Sequence, residues 1–161
     1  MPSTSRRTLV GGALGGLAAA IGGGVAWTAY ATRTHVRFRP LRAVNESDEA
    51  TELVVTVVDE SGDADDEVHE PTLAPAGEAG HTATLRGRSV SYPAPYGVTA
   101  RSGHESTGGE EDATRELDLP NAGIVDRHPD IGWGSDDVRV AVVVEADGTL
   151  SARVGEPRER Y

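Results

Sequence analysis

The sequence predicts an all-β fold, a two-layer antiparallel sandwich preceded by a hydrophobic N-terminal helix. Beyond position 31 the apolar residues come in short runs rich in valine, leucine and threonine, which are typical of strands. Glycine, proline and acidic turns separate these runs at the spacing of a sandwich. Before position 31, by contrast, a long uncharged run follows a pair of arginines.

The N-terminal leader, residues 1–31, has the parts of an export signal, with a basic start, an apolar middle and small residues at its end. The hexapeptide SRRTLV at residues 5–10 resembles the twin-arginine translocation signal, in which Arg6 and Arg7 are the arginine pair. The resemblance implies that the chain leaves the cytoplasm already folded.

The same leader also fits a membrane anchor that is never removed. The uncharged run from Leu9 to Ala31 has 23 residues, which as a helix span about 30 Å of hydrocarbon. A signal peptide is instead cleaved, and Ala29 and Ala31 form the predicted A-x-A cleavage site. The sequence leaves both outcomes open, and residues 32–35 are a short linker in either.

The charge composition is that of a halophile. All 15 basic residues are arginine, against 26 Asp and Glu. Carboxylates hold water in concentrated salt, and arginine replaces the long apolar stem of lysine with a planar, hydrogen-bonding head. A net charge of -11 disfavours binding to nucleic acid, which requires cations that neutralise phosphates. Without cysteine, the domain has no disulfide.

The strands are predicted in order along the chain. The first, His35–Arg39, alternates apolar and basic residues. A polar turn at Asn45–Asp48 precedes the richest run, Leu53–Val58, which is predicted as a central strand buried on both faces. Thr82–Leu85 and Tyr96–Ala100 are shorter strands, separated by prolines that do not fit a sheet interior.

A terminal hairpin is the clearest element. Alternate positions from Val138 to Val144 are apolar on one face, Asp147-Gly148 supplies a tight turn, and Leu150 begins the returning strand. The residues expected to fill the core are Phe38, Val55, Leu85, Val98, Val142 and Leu150.

The predicted β-sandwich domain, residues 36–155, contains a long acidic loop at 101–137 and is followed by a tail at 156–161. A structureless stretch of that length is uncommon inside a compact domain. It is therefore either a functional loop or a segment that hides short elements around Leu117–Leu119 and Ile124–Val125.

The segment Leu41–Thr99 resembles the small immunoglobulin-like modules of haloarchaeal envelope proteins. In these modules a strand such as Leu53–Val58 is followed by an acidic turn, a Leu-x-Pro-Ala/Gly-Glu step such as residues 73–78, and a Tyr-x-Val strand such as Tyr96–Val98. The resemblance implies an immunoglobulin-like sandwich and transfers no functional residues.

The candidate metal ligands are His69, His104, Asp63 and Asp65, the two aspartates belonging to an acidic run at 59–67 that offers oxygen ligands for Ca²⁺. The five histidines lack the i, i+2 or i, i+4 spacing that places two ligands on one face. The acidic run also lacks the order of an EF-hand, so solvated surface loops are the favoured explanation of these residues. No cofactor is predicted.

Two further features of the sequence bear on its chemistry. The chain has no G-x-S-x-G elbow and no cysteine, so we do not predict an enzyme. Asn45-Glu46-Ser47 is an N-glycosylation acceptor in a predicted exposed turn, although a plain turn has the same composition.

Together these features predict an exported envelope protein, a structural or interaction module at the cell surface. It is expected on the outside of the cell membrane if the leader is kept, or secreted if the leader is cleaved. Its expected partners are the membrane, through an uncleaved N-terminal helix, and another envelope protein. The alternative is an extracytoplasmic metal- or solute-binding protein.

Overall fold

The computed structural model describes residues 34–103, 115–127 and 136–155. Within these ranges the chain forms nine strands and two short helices. The strands are β1 Val36–Asn45, β2 Thr51–Asp59, β3 Glu67–His69, β4 Thr72–Leu73, β5 Thr82–Leu85, β6 Tyr96–Gly103, β7 Arg115–Leu119, β8 Asp136–Val144 and β9 Leu150–Gly155. The helices, α1 Arg88–Ser91 and α2 Asn121–Asp126, are too short to show helical periodicity in the sequence.

The strands form two sheets, which confirms the all-β prediction. Sheet 1 has the order β5-β1-β8-β9, and sheet 2 has the order β3-β2-β6-β7 with β4 also beside β2. The prediction of purely antiparallel pairing is wrong for one pair, because β1 and β8 run parallel. Strands of both sheets lie between β1 and β8 in the chain, so no tight turn forces these two strands to be antiparallel.

A single hydrophobic core takes residues from both sheets. Five of the residues predicted to fill it are buried, namely Phe38, Val55, Leu85, Val98 and Val142. Leu150 is only partly buried, because it lies on β9 at the edge of sheet 1. The rings of Phe38 from sheet 1 and Tyr96 from sheet 2 are 5.7 Å apart between centroids, so the two sheets are in contact at this pair.

The first strand is longer than predicted, because a bulge carries it past Pro40. Two residues of β1, Arg39 and Pro40, lie opposite the single residue Arg139 of β8. Proline has no backbone N–H to donate to the ladder, so an irregular position suits it. The extra residue shifts the alternation by one, and as a result Leu41 is buried while Arg42 is exposed.

The prediction that the β2 run is buried on both faces is wrong. β2 is central in sheet 2, as predicted, but its burial alternates. Leu53, Val55 and Val57 are buried, whereas Val54 between them is 39% exposed. A sheet in a two-layer arrangement packs with one face only, and a continuous valine run does not show which face is covered.

The acidic segment at 101–137 is not one long loop. β6 extends through its first residues to Gly103, β7 pairs antiparallel with β6, and α2 follows. The alternative of short elements around Leu117–Leu119 and Ile124–Val125 is therefore confirmed. Residues 104–114 and 128–135 lie outside the described residues.

The terminal hairpin is confirmed. β8 and β9 pair antiparallel with Val144 opposite Leu150, and Gly148 in the turn has φ +75°. Glycine suits this position because L side chains rarely adopt a left-handed φ of this size. Val143, expected on the opposite face from the core, is also buried.

Candidate functional site

The residues proposed as metal ligands are not brought together. Asp63 and Asp65 are exposed on the turn between β2 and β3, and His69 lies in β3. His104 lies outside the described residues. Across residues 34–103, 115–127 and 136–155, no group of three or more histidine or acidic side chains is arranged to hold a metal ion.

A cluster of polar side chains lies where β2, β3 and α1 meet. We call Asp59, Glu67, His69, Ser89 and Tyr96 the polar cluster. The Glu67 carboxylate accepts two hydrogen bonds from Ser89, at 2.8 Å from its backbone N–H and at 3.0 Å from its hydroxyl. Nε2 of His69 is 3.8 Å from Oε2 of Glu67. These contacts tie the single-turn helix α1 to the edge of sheet 2.

The polar cluster contains serine, histidine and a carboxylate, but not in the order of a hydrolase triad. In a triad the histidine lies between nucleophile and carboxylate, where it takes the proton of the nucleophile. Here Glu67 lies between Ser89 and His69. Ser89 is also fully buried, so its hydroxyl does not face solvent. The arrangement supports a structural role for these three residues.

Among the described residues, three buried side-chain atoms have no hydrogen-bond partner, and all three belong to the polar cluster. They are Oδ2 of Asp59, Nε2 of His69 and the hydroxyl of Tyr96. Burial is the largest cause that raises the pKa of Tyr96, and the carboxylates of Asp59 and Glu67 raise it further. The guanidinium of Arg88 lies close enough to oppose this rise, but it does not form a hydrogen bond of normal geometry to the hydroxyl.

The Tyr96 hydroxyl should make the domain sensitive to alkali. A raised pKa means that the neutral phenol stabilises the fold in full below about pH 10, the unfolded pKa, and that this stability is lost as the pH rises through the folded pKa. Tyr96→Phe should therefore unfold at a higher pH than the wild type. At neutral pH it should be unchanged or more stable by up to about 1 kcal/mol, because an unpartnered polar group is removed.

The measurement for this prediction is the free energy of unfolding between pH 7 and pH 11. Tyr92→Phe is the control, since Tyr92 is 64% exposed. Equal loss of stability in the wild type and in Tyr96→Phe as the pH rises would show that the Tyr96 phenol does not cause the alkaline transition.

The predicted glycosylation site at Asn45 does not lie in an exposed turn, as the sequence had led us to expect. Asn45 is the last residue of β1 and is 0% exposed. Its Nδ2 donates to the carbonyl oxygens of Glu49 and Ala74 at 2.7 and 2.9 Å, and its Oδ1 accepts from the N–H and hydroxyl of Ser47. A transferase cannot reach this nitrogen while the domain is folded. The expectation of an exposed Asn45 is wrong because the turn begins one residue later.

The residues of the predicted export signal lie outside the described residues. This applies to Arg6 and Arg7 and to the cleavage positions Ala29 and Ala31. Within the part of the chain that the structure describes, no helix is long and apolar enough to span a membrane.

Sheet 1 has an outer face rich in arginine. Five arginines lie at outward positions of its strands, and we call the surface that they form the arginine face. They are Arg37, Arg39, Arg42, Arg139 and Arg153. Arg37 is 2.6 Å from Asp137, which is also 3.6 Å from Arg39. Arg153 pairs with Glu46 at 2.6 Å and with Glu145 at 3.2 Å. The pKa of Glu46 is lowered, first by its hydrogen bond from Arg153.

Sheet 2 has the opposite charge on its outer face. Glu52, Glu116 and Asp118 occupy outward strand positions with one arginine, Arg101, which is 2.8 Å from Glu116. Two exposed valines lie on the same face, Val54 on β2 and Val68 on the edge strand β3. We call this side the acidic face. The fold therefore sorts the charges of an acidic chain onto two different sides.

Sequence reasoning missed both faces and the polar cluster. Arg37 and Arg153 are more than a hundred positions apart in the chain, and only the register of β1, β8 and β9 places them on one surface. In the sequence, the grouping of Arg37, Arg39 and Arg42 after the leader was the one signal of the arginine face. Fold and surface together define a small two-sheet β domain with oppositely charged faces. No protein-family model, no curated protein and no solved structure matches the chain.

Proposed function

We propose that this chain is an exported envelope protein of a halophile, in which the two-sheet domain is a structural or interaction module on the outer side of the cell membrane. The observation that carries the proposal is the separation of charge between the arginine face and the acidic face. A domain with two different faces is suited to a fixed orientation between two environments, such as a membrane and brine. The twin-arginine-type leader directs export of the chain to the outer side of the membrane.

We also propose that the two sheets form an immunoglobulin-like sandwich and that the leader is a helix. The support for the sandwich is the shared core, in which alternate residues of both sheets are buried together. The support for the helix is the length and apolar character of the run from Leu9 to Ala31. The parallel β1–β8 pair lies within sheet 1 and leaves the alternate burial of both strands intact, so it is compatible with a sandwich.

The alternative of a metal- or solute-binding protein has less support. Asp63, Asp65 and His69 do not converge. Asp59 of the polar cluster accepts hydrogen bonds from Ser61 in the turn that carries the two aspartates, but the unpartnered atoms of the cluster are buried whereas Asp63 and Asp65 are exposed.

Export is tested by replacing Arg6 and Arg7 together with lysine, which keeps the charge but removes the arginine pair of the signal. In a haloarchaeal host we expect the wild type in the membrane or outside fraction, and the doubly substituted chain inside the cell. Arg33→Lys is the matched control, since it makes the same change just beyond the apolar run. Equal export of the doubly substituted chain and the wild type would contradict the proposed route.

The mass of the exported chain then shows whether the leader is kept. A full-length mass means an anchor, and a chain that begins at Thr32 means cleavage after Ala31.

A further inference from the structure

We infer that the arginine face binds the phosphate headgroups of anionic lipids, so that sheet 1 lies flat against the membrane in which the leader is anchored. This inference rests on the proposed function, in the form in which the leader is kept. It deepens that proposal by naming the partner surface and the orientation of the domain.

The arginine face carries guanidinium groups with free hydrogen-bond donors. Within the described residues, neither Arg42 nor Arg139 forms an ion pair, and Arg39 is half exposed with its acid 3.6 Å away. Arg42 is flanked by Thr84 and Ala141 in the register of the sheet, so no acidic neighbour faces it across the strands. A guanidinium offers paired donors that match two oxygens of a phosphate.

The tether between the leader and the domain is short. Five peptide steps separate Ala31, the last residue of the uncharged run, from Val36, the first residue of β1. A chain of that length reaches at most about 18 Å. The start of β1, which carries Arg37 and Arg39, is therefore held near the headgroups by the short tether, and Arg42 follows on the same face of the strand.

The tether also allows the domain to bind the membrane in concentrated salt, which screens charge. In molar salt the Debye length is about 3 Å, so long-range attraction is lost and only contact hydrogen bonds remain. Tethering converts docking into an intramolecular step, so weak contacts suffice to hold the domain down. The acidic face points the other way, where carboxylates hold water in brine. The arginine face then contacts anionic headgroups, and the acidic face contacts brine.

The test uses the full-length chain reconstituted in vesicles at 2 M KCl. The native chain has no cysteine, so single cysteines report one face each. Thr84→Cys lies beside Arg42 on sheet 1, and Val68→Cys lies on the acidic face, where Val68 is 57% exposed. A membrane-impermeant maleimide measures the exposure of each cysteine in phosphatidylglycerol vesicles and in phosphatidylcholine vesicles.

We expect Thr84→Cys to react at least about fivefold more slowly in phosphatidylglycerol than in phosphatidylcholine, as for a domain docked four-fifths of the time. Val68→Cys should react equally in both. Adding Arg42→Gln and Arg139→Gln to Thr84→Cys should abolish the protection, whereas adding Arg101→Gln on the acidic face should not. Unchanged thermal melts show that each variant is folded.

Equal rates for Thr84→Cys in the two lipids would overturn the inference, as would loss of the chain from the vesicles. Protection that occurs in both lipids and decreases when the protein is diluted in the vesicles would indicate instead that the acidic face of a second copy covers sheet 1. This result would also overturn the inference. Because reconstitution bypasses the export machinery, none of these results bears on the test with Arg6 and Arg7.

Discussion

Replacing Asn45 by Asp should lower the free energy of unfolding by about 3 kcal/mol or more. The side chain is fully buried and uses both amide hydrogens and its oxygen in four hydrogen bonds. An aspartate has no hydrogens to donate to the carbonyls of Glu49 and Ala74, and it would bury a charge facing two oxygens. The loss is a large share of the 5–15 kcal/mol typical of a domain, so a marked drop in melting temperature is expected.

The control for this prediction is Asp48→Asn, which exchanges the same two groups in the opposite direction on an exposed residue of the same turn. It should change stability by less than about 0.5 kcal/mol. Denaturant unfolding in high salt, followed by circular dichroism, measures both variants. If Asn45→Asp were as stable as Asp48→Asn, Asn45 would be exposed and available for glycosylation after all.

Replacing Phe38 by Ala should cost about 3–5 kcal/mol, as is typical for a buried phenylalanine. Phe38 is fully buried and its ring packs at 48° against Tyr96 of the other sheet, so its loss opens a cavity between the sheets. It is the only phenylalanine in the chain, and no other residue type of the core is as large and as apolar. The same unfolding measurement applies.

Phe38→Leu keeps most of the apolar volume and should cost no more than about 1.5 kcal/mol. A loss below about 1 kcal/mol for Phe38→Ala would mean that the sheets do not pack on this ring. The packing of the two sheets into one core would then be wrong.

Patterns within a few neighbouring residues predicted much of the fold. β5 has the predicted bounds, Thr82–Leu85, and the β8–β9 hairpin forms around the predicted turn. Elements that depend on distant partners were less predictable. The alternation that predicts the first strand ends at Arg39, and only the pairing of β1 with β8 shows that a bulge accommodates Pro40 and continues the strand.

The candidate surfaces could not be predicted for the same reason. The local composition around Asn45 predicts an exposed turn. Its buried amide, however, donates a hydrogen bond to the carbonyl of Ala74, which is 29 positions away in the chain. Of the arginines of sheet 1, only Arg37, Arg39 and Arg42 form a cluster in the sequence. Pairing of strands distant in sequence adds Arg139 and Arg153 and turns that cluster into a face.

The central claim is that the domain stands outside the cell with its arginine face toward the membrane. The most direct measurement is labelling of intact cells by a membrane-impermeant maleimide, with the full-length chain carrying either Val68→Cys or Thr84→Cys. The account predicts that Val68→Cys is labelled on intact cells and that Thr84→Cys is labelled fully only after detergent dissolves the membrane. Equal labelling of both on intact cells would contradict the orientation, and labelling of neither before lysis would contradict export.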